Sequence, residues 1–152
     1  MNRSFSSTYP VGTVLVVDDE NAVRVVTEAI LKTNGVDVHS AESGPDAVVV
    51  AEAFYESGGR YSAVILDLTM PGGPSGFETL ERLHQVDAHL PVIACSGYFQ
   101  EDARDLCRAI GFADILAKPF TPDVLSSVIR RVLASGSESA IAGGKGVAES
   151  LS

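Results

Sequence analysis

Val64-Ile65-Leu66-Asp67-Leu68-Thr69-Met70-Pro71 is the stretch that decides the fold. An apolar run from Ala63 to Leu66 ends on a single carboxylate, and a proline-glycine turn at Pro71-Gly72 follows four residues later. A short apolar run bounded by turn signals reads as a strand buried on both faces, as in a parallel sheet. In an open α/β sheet the chemistry lies just beyond the carboxyl ends of the strands. Asp67 is therefore an acid delivered by a rigid strand to the edge of a crevice, where other strand ends must meet it.

Outward from Asp67 the chain alternates between strand and helix patterns. Upstream, the β-branched run Thr13 to Val17 is a buried first strand ending on Asp18-Asp19-Glu20. Helical periodicity runs from Asn21 to Lys32, and Asn34-Gly35 closes it as a C-cap. Val36 to Ala41 alternates like a strand near a sheet edge. Ser43-Gly44-Pro45 opens a second helix reaching about Glu56, with proline at the tolerated first turn and Ser57-Gly58-Gly59 as its stop.

Downstream, Pro71-Gly72-Gly73-Pro74 is a tight loop, and Ser75 with Glu78 forms a capping box for a third helix towards Gln85. Pro91 to Cys95 is a fourth strand ending on Ser96-Gly97, followed by a helix from about Gln100 to Ile110 that stops at Gly111. Ala113 to Ala117 is a short fifth strand ending on Lys118-Pro119, and Thr121-Pro122-Asp123 caps a fifth helix to about Leu133. This βαβαβαβαβα pattern predicts an α/β fold with helices on both faces of a five-stranded parallel sheet. The expected arrangement is the doubly wound, flavodoxin-like one, with strand order 2-1-3-4-5 and five helices. The expected organisation is a flexible lead-in over 1–12, one folded domain over 13–134 and a disordered Gly/Ser-rich tail over 135–152.

Composition narrows the function. A chain of 152 residues suffices for one domain with a real core. A formal net charge of −9 argues against direct nucleic-acid binding, which needs a basic stripe. It suits a cytoplasmic protein whose partners are other proteins. Cys95 and Cys107 form no CxxC and are expected as buried, reduced thiols. His39, His84 and His89 lack metal-ligand spacing and read as surface or half-buried side chains. No apolar run approaches the roughly 18 residues of a membrane span, and the N-terminus lacks a signal-peptide pattern.

The strand ends gather Asp18 and Asp19, Asp67, Ser96 and Lys118 at one edge. Three carboxylates crowd unfavourably without a cation, and one lysine does not balance them. A hard divalent metal such as Mg²⁺, held by a few oxygens and water, would. A metal-bound Asp beside a Lys and a hydroxyl is a phosphoryl-transfer arrangement in which a carboxylate can be the nucleophile.

Val17-Asp18-Asp19-Glu20, Leu66-Asp67-Leu68-Thr69-Met70-Pro71, Ser96-Gly97 and Lys118-Pro119-Phe120 together resemble the receiver domain of two-component response regulators, over roughly residues 13 to 134. The resemblance implies that Asp67 is the phosphoacceptor, that Asp19 binds Mg²⁺ directly and that Asp18 acts mainly through water. It implies that the Thr69 main-chain carbonyl completes the metal ligands, its side chain mattering less. Lys118 and Ser96 would contact phosphoryl oxygens, with a cis Lys118-Pro119 peptide aiming the lysine. Implied partners are a histidine kinase or histidine phosphotransfer protein, with a downstream protein target and neither nucleic acid nor membrane. The chain would be a phosphoacceptor losing its phosphate slowly, not a classical enzyme.

Two departures from the family stand out. Ile115 occupies the position, three before the lysine, where receivers usually carry Tyr or Phe, and Tyr98 is the alternative aromatic that would gate the site or report its state. The loop from Pro71 to Gly76 is one residue longer than the common form and resembles receivers of hybrid sensor kinases. On the first helix, Ala22, Val23, Val25, Val26, Ala29 and Ile30 span roughly 160° at about 100° per residue. That face either packs on the sheet or, as in the family, partly docks a helix of the phosphodonor. With no second domain expected after Leu133, output would be through protein contacts or a phosphorelay.

Other readings are a pseudo-receiver acting by contact alone, an Asp-nucleophile phosphohydrolase and a flavodoxin-like FMN binder. Asp67-Leu68-Thr69 lacks the second acid of the phosphohydrolase motif. Asp18-Asp19-Glu20 stands where an FMN phosphate loop would be.

Overall fold

The β-branched and apolar runs become five parallel strands in a computed structural model that describes residues 12–135. These are β1 (Gly12–Val17), β2 (Val36–Ala41), β3 (Ala63–Asp67), β4 (Val92–Ser96) and β5 (Asp114–Ala117), in the sheet order β2-β1-β3-β4-β5. Between them lie α1 (Asn21–Thr33), α2 (Gly44–Glu56), α3 (Gly76–Val86) and α4 (Ala103–Ile110), and a fifth helix, α5, runs over 122–135. The expected flexible lead-in and disordered tail fall outside the described residues, apart from Gly12, which opens β1, and Ser135 in α5.

Strand alternation builds two cores. Leu15, Val17, Val64, Leu66, Val92 and Ala94 pack on one face with Ala47 and Ala51 of α2, Leu80 and Leu83 of α3 and Cys107 of α4. Val14, Val16, Ala63, Ile65, Ile93 and Cys95 point the other way, against Leu31 of α1 and Leu125, Val128 and Ile129 of α5. Every residue of β3 and β4 is buried, as a central parallel strand covered on both faces requires. Both cysteines are buried and free. Among the described residues no helix is long and apolar enough to cross a membrane.

The caps follow their local chemistry. Ser75 and Glu78 form the reciprocal capping box, and Ser43 accepts from the Asp46 N–H at 3.2 Å. Gly35 adopts φ 77° after α1, the left-handed turn that glycine permits. The fourth helix starts later than its sequence pattern predicts, at Ala103 rather than Gln100. Its only buried residues are Ala103 and Cys107, so packing holds the chain helical from Ala103 on, while 101–102 form a turn. On α1 the sheet takes Thr27 and Leu31, whereas Val25 and Val26 stay 55% and 56% exposed. The valine face is therefore not a core stripe but an open apolar surface.

Candidate functional site

Pairing of β1 with β3 places Val17 opposite Leu66, so Asp18 and Asp67 leave the sheet side by side. Both are buried, while Asp19 is exposed. One carboxylate oxygen from each of the three lies within 4.8 Å of the others. Lys118, just past β5, reaches across β4 to this group. Its Nζ sits 2.7 Å from Asp18 Oδ2, 3.2 Å from Asp67 Oδ2 and 3.9 Å from Glu20 Oε1. The lysine backbone is fixed where β4 and β5 run together, its N–H donating to the Ser96 carbonyl at 2.8 Å, and the Lys118-Pro119 peptide is cis. Burial by itself would draw the Lys118 ammonium down, but its hydrogen bond to Asp18 and the charge of Asp67 outweigh this and hold it well above the ordinary lysine range.

The two oxygens of Asp67 have different surroundings. Oδ2 faces Lys118, whereas Oδ1 accepts both the main-chain N–H and the hydroxyl of Thr69, at 3.0 and 2.7 Å. Sequence reasoning gave the Thr69 side chain a minor part, yet its hydroxyl touches Asp67 directly. Arg24 was missed altogether: its Nη1 donates to the Asp18 carbonyl at 2.6 Å and Nη2 to Asn21 Oδ1 at 3.1 Å, tying the acidic loop to the first turns of α1. An Arg six residues after the first acid was the available signal. The Glu20 N–H closes the same loop onto Asp18 Oδ1 at 2.9 Å.

Ser96 ends β4 and is buried, its Oγ accepting the Tyr98 N–H at 3.0 Å. The Tyr98 ring is 91% exposed and covers nothing of the site, so it closes no gate in this state. Ile115 is half-buried and packs on the α2–α4 side of the sheet. Beneath the site, burial pushes the Cys95 thiol up to about 12, which leaves it neutral and inert beside the carboxylates. None of the three histidines joins the cluster. His39 is half-buried with Nδ1 2.6 Å from the Tyr61 hydroxyl, and His84 Nε2 lies 3.0 Å from the Leu90 carbonyl.

The donor set is all oxygen, with three carboxylates against one ammonium. Hard oxygen ligands with excess negative charge fit a small divalent cation such as Mg²⁺ and disfavour softer metals that prefer nitrogen or sulfur. Beside the cluster an open cleft of about 510 Å³ is lined by Ala22, Val23, Val26, Gly97, Lys118 and Phe120, with Pro119.

Comparison with known proteins agrees with this geometry. The model of the response regulator receiver domain family matches residues 14–130. The chain belongs to this family. The sensor kinase CckA of Brucella abortus is 35% identical over 124 residues, which are 80% of this chain and 12% of that protein. The transcriptional regulatory protein YkoG of Bacillus subtilis is 32% identical over 122 residues, 80% of this chain and 51% of that one. The first curated relatives are thus matched over about half their length or less. Among solved structures, the chemotaxis protein CheY4 of Vibrio cholerae aligns with TM-score 0.69 and 26% identity over 80% of this chain and 98% of that one. Receiver domains act in two-component signalling and bind Mg²⁺ at an acidic cluster, and this receiver groups Asp18, Asp19 and Asp67 in such a cluster.

Proposed function

We propose that this receiver takes a phosphoryl group from a phosphohistidine of a separate histidine kinase or phosphotransfer protein onto Asp67. The observation that carries this reading is the convergence of a buried carboxylate, two further acids and a lysine at one sheet edge. A carboxylate oxygen of Asp67 forms the new P–O bond while the P–N bond of the donor breaks and its electron pair stays on the imidazole nitrogen. Asp18, Asp19 and the Thr69 main-chain carbonyl would hold Mg²⁺ together with Asp67. Bound there, the cation would neutralise charge on the phosphoryl oxygens. Lys118 would move from Asp67 Oδ2 to a phosphoryl oxygen, and Ser96 would donate its hydroxyl to another. Arg24 keeps Asp18 in place throughout.

The donor would dock over α1 and the apolar cleft. Val25 and Val26 are exposed, and Val26 lines the cleft that also contains Lys118. An apolar surface bordering the reacting group suits a partner helix that presents its histidine at the edge. On this reading the protein is a phosphoacceptor in the cytoplasm that signals by protein contact or passes phosphate along a relay, and not a classical enzyme. The folded unit that carries this chemistry includes residues 12–135.

Intact-mass analysis after incubation with acetyl phosphate tests this. Wild type with Mg²⁺ should gain one phosphoryl group, and Asp67→Asn, or chelation of the metal, should abolish the gain. A wild-type protein that binds Mg²⁺ yet gains nothing would make it a pseudo-receiver acting by contact alone.

A further inference from the structure

The two exposed valines of α1 belong to different surfaces. Val26 lines the cleft that holds Lys118, whereas Val25 lines a separate groove of about 460 Å³ between α1 and α2. Neighbouring residues of a helix point about 100° apart, so the two surfaces face different directions. On the α1 wall of the groove Asn21, Arg24, Val25 and Glu28 follow the i, i+3, i+4, i+7 spacing of one helix face. On the α2 wall Asp46, Val49 and Val50 repeat the i, i+3, i+4 part of it, and Val49 is 63% exposed. Two open valines rimmed by polar side chains are the pattern of an interaction surface.

The charge on this rim has one sign. Glu28, Asp46 and Glu42, just past β2, all line the groove, and among the described residues none of the three makes an ion pair. Arg24 does not balance them, because its guanidinium is taken by the Asp18 carbonyl and by Asn21 Oδ1. We propose that the α1–α2 groove is a second docking surface, which takes an amphipathic helix of a protein partner with apolar residues flanked by lysine or arginine. Two walls with helical spacing suit a third helix laid between them, its apolar stripe on the valines. Basic flanks on that helix meet the three carboxylates, which an acidic partner would find repulsive. A second copy of this chain is disfavoured in the same way, since each carries a net charge of −9. The groove stands on its own geometry. Only one consequence rests on the phosphodonor reading above: a partner held in the groove leaves the Lys118 cleft open, so both sides of α1 are filled at once.

The probe is a synthetic helical peptide with leucine at i, i+3, i+4 and i+7 and lysine on the flanks, beside a twin with glutamate for lysine. Each is titrated into the isotope-labelled full chain with Mg²⁺, followed by amide NMR shifts and by fluorescence anisotropy. The lysine peptide should shift Val25, Glu28, Glu42 and Val49 while Phe120 stays in place, and the glutamate twin should bind at least about tenfold more weakly. Val25→Lys and Val49→Lys, both at exposed positions that keep the fold, should each weaken the lysine peptide by about tenfold, because the new charge is buried without a partner. Leu106→Lys adds the same charge to an exposed position of α4 and should change affinity by less than about twofold at physiological salt. No binding, shifts centred on Phe120 or on α4, or equal weakening by all three lysine variants would each overturn the inference. So would a chain that sediments as a dimer and becomes monomeric on Val25→Lys, which would give the groove to a second copy. Acetyl phosphate separates this from the phosphoacceptor reading. Peptide-saturated protein should gain phosphoryl as fast as free protein, and a gain blocked by the peptide would place it over Asp67 instead. A wild type that gains none without peptide would overturn the phosphoacceptor reading and leave the groove standing.

Discussion

Asp67 and Asp114 are both buried strand carboxylates, on β3 and β5 with only β4 between them, and their surroundings are opposites. Around Asp67 one lysine is shared by Asp18, Glu20 and Asp67, with Asp19 beside them. Around Asp114 one acid holds two arginines. Arg131 of α5 donates to Oδ2 through Nε and Nη2 at 3.0 and 2.8 Å, and Arg104 of α4 lies 3.1 Å from Oδ1. The Ile115 N–H fills the remaining side of Oδ1 at 2.9 Å. The Asp114 group is electrostatically closed and clasps α4 and α5 across the sheet edge. The Asp67 group is left short of positive charge, the condition in which a cation and a phosphoryl group find a place. Burial alone does not mark a functional acid; the balance of its neighbours does.

The largest effect on this contrast should come from opening the closed cluster. Asp114→Ala should lose about 2–4 kcal/mol of stability, because hydrogen bonds to a charged group vanish and two arginines lose their partner. Urea denaturation measures this, and phosphoryl gain at Asp67 should survive. Arg104→Ala should cost under about 1 kcal/mol, since that arginine is half exposed and Arg131 stays bidentate. A loss at Arg104 as large as at Asp114 would mean that the clasp is not centred on the acid.

Closing the open cluster should act in the other direction by a smaller amount. Mg²⁺ at about ten times its dissociation constant should stabilise wild type by about 1.4 kcal/mol. The increment should persist in Asp114→Ala and disappear in the double variant Asp18→Asn with Asp19→Asn. Thermal melts with and without the metal distinguish these cases. Equal stabilisation of all three proteins would place the cation elsewhere.

A third carboxylate sharpens the comparison at high pH. Asp87 accepts the Tyr55 hydroxyl at 2.6 Å and lies 3.7 Å from Arg60. Burial, then the bond to Asp87, raises Tyr55 well above the ordinary tyrosine value, and burial raises Tyr61 to about 12. A group raised in the folded state contributes stability that is intact below its unfolded value and is lost as pH climbs through the folded one. Urea midpoints should therefore hold up to about pH 10 and fall as pH rises towards 12. A midpoint unchanged across that window would contradict the burial of Tyr55 and Tyr61.

Amino-acid order alone determined the strands and the delivery of Asp18, Asp19, Asp67, Ser96 and Lys118 to strand ends along one edge. Each of these depends on local alternation, on turn residues and on the rule that strand ends share an edge, all of which are written within a few residues. Tertiary structure decided what depends on contacts between distant elements or on side-chain direction. Asp114, Arg104 and Arg131 carry no motif and meet only because α4 and α5 flank β5. Val25 and Val26 follow a helical apolar pattern, yet only the placement of α1 shows that the sheet takes Thr27 and Leu31 and leaves the valines open. The Thr69 hydroxyl lies two residues from Asp67, but its aim at Oδ1 depends on how the chain turns after β3. Hydrogen-bond direction is a property of the folded backbone, so spacing could name Asp67 without saying that Thr69 takes one of its oxygens and Lys118 the other.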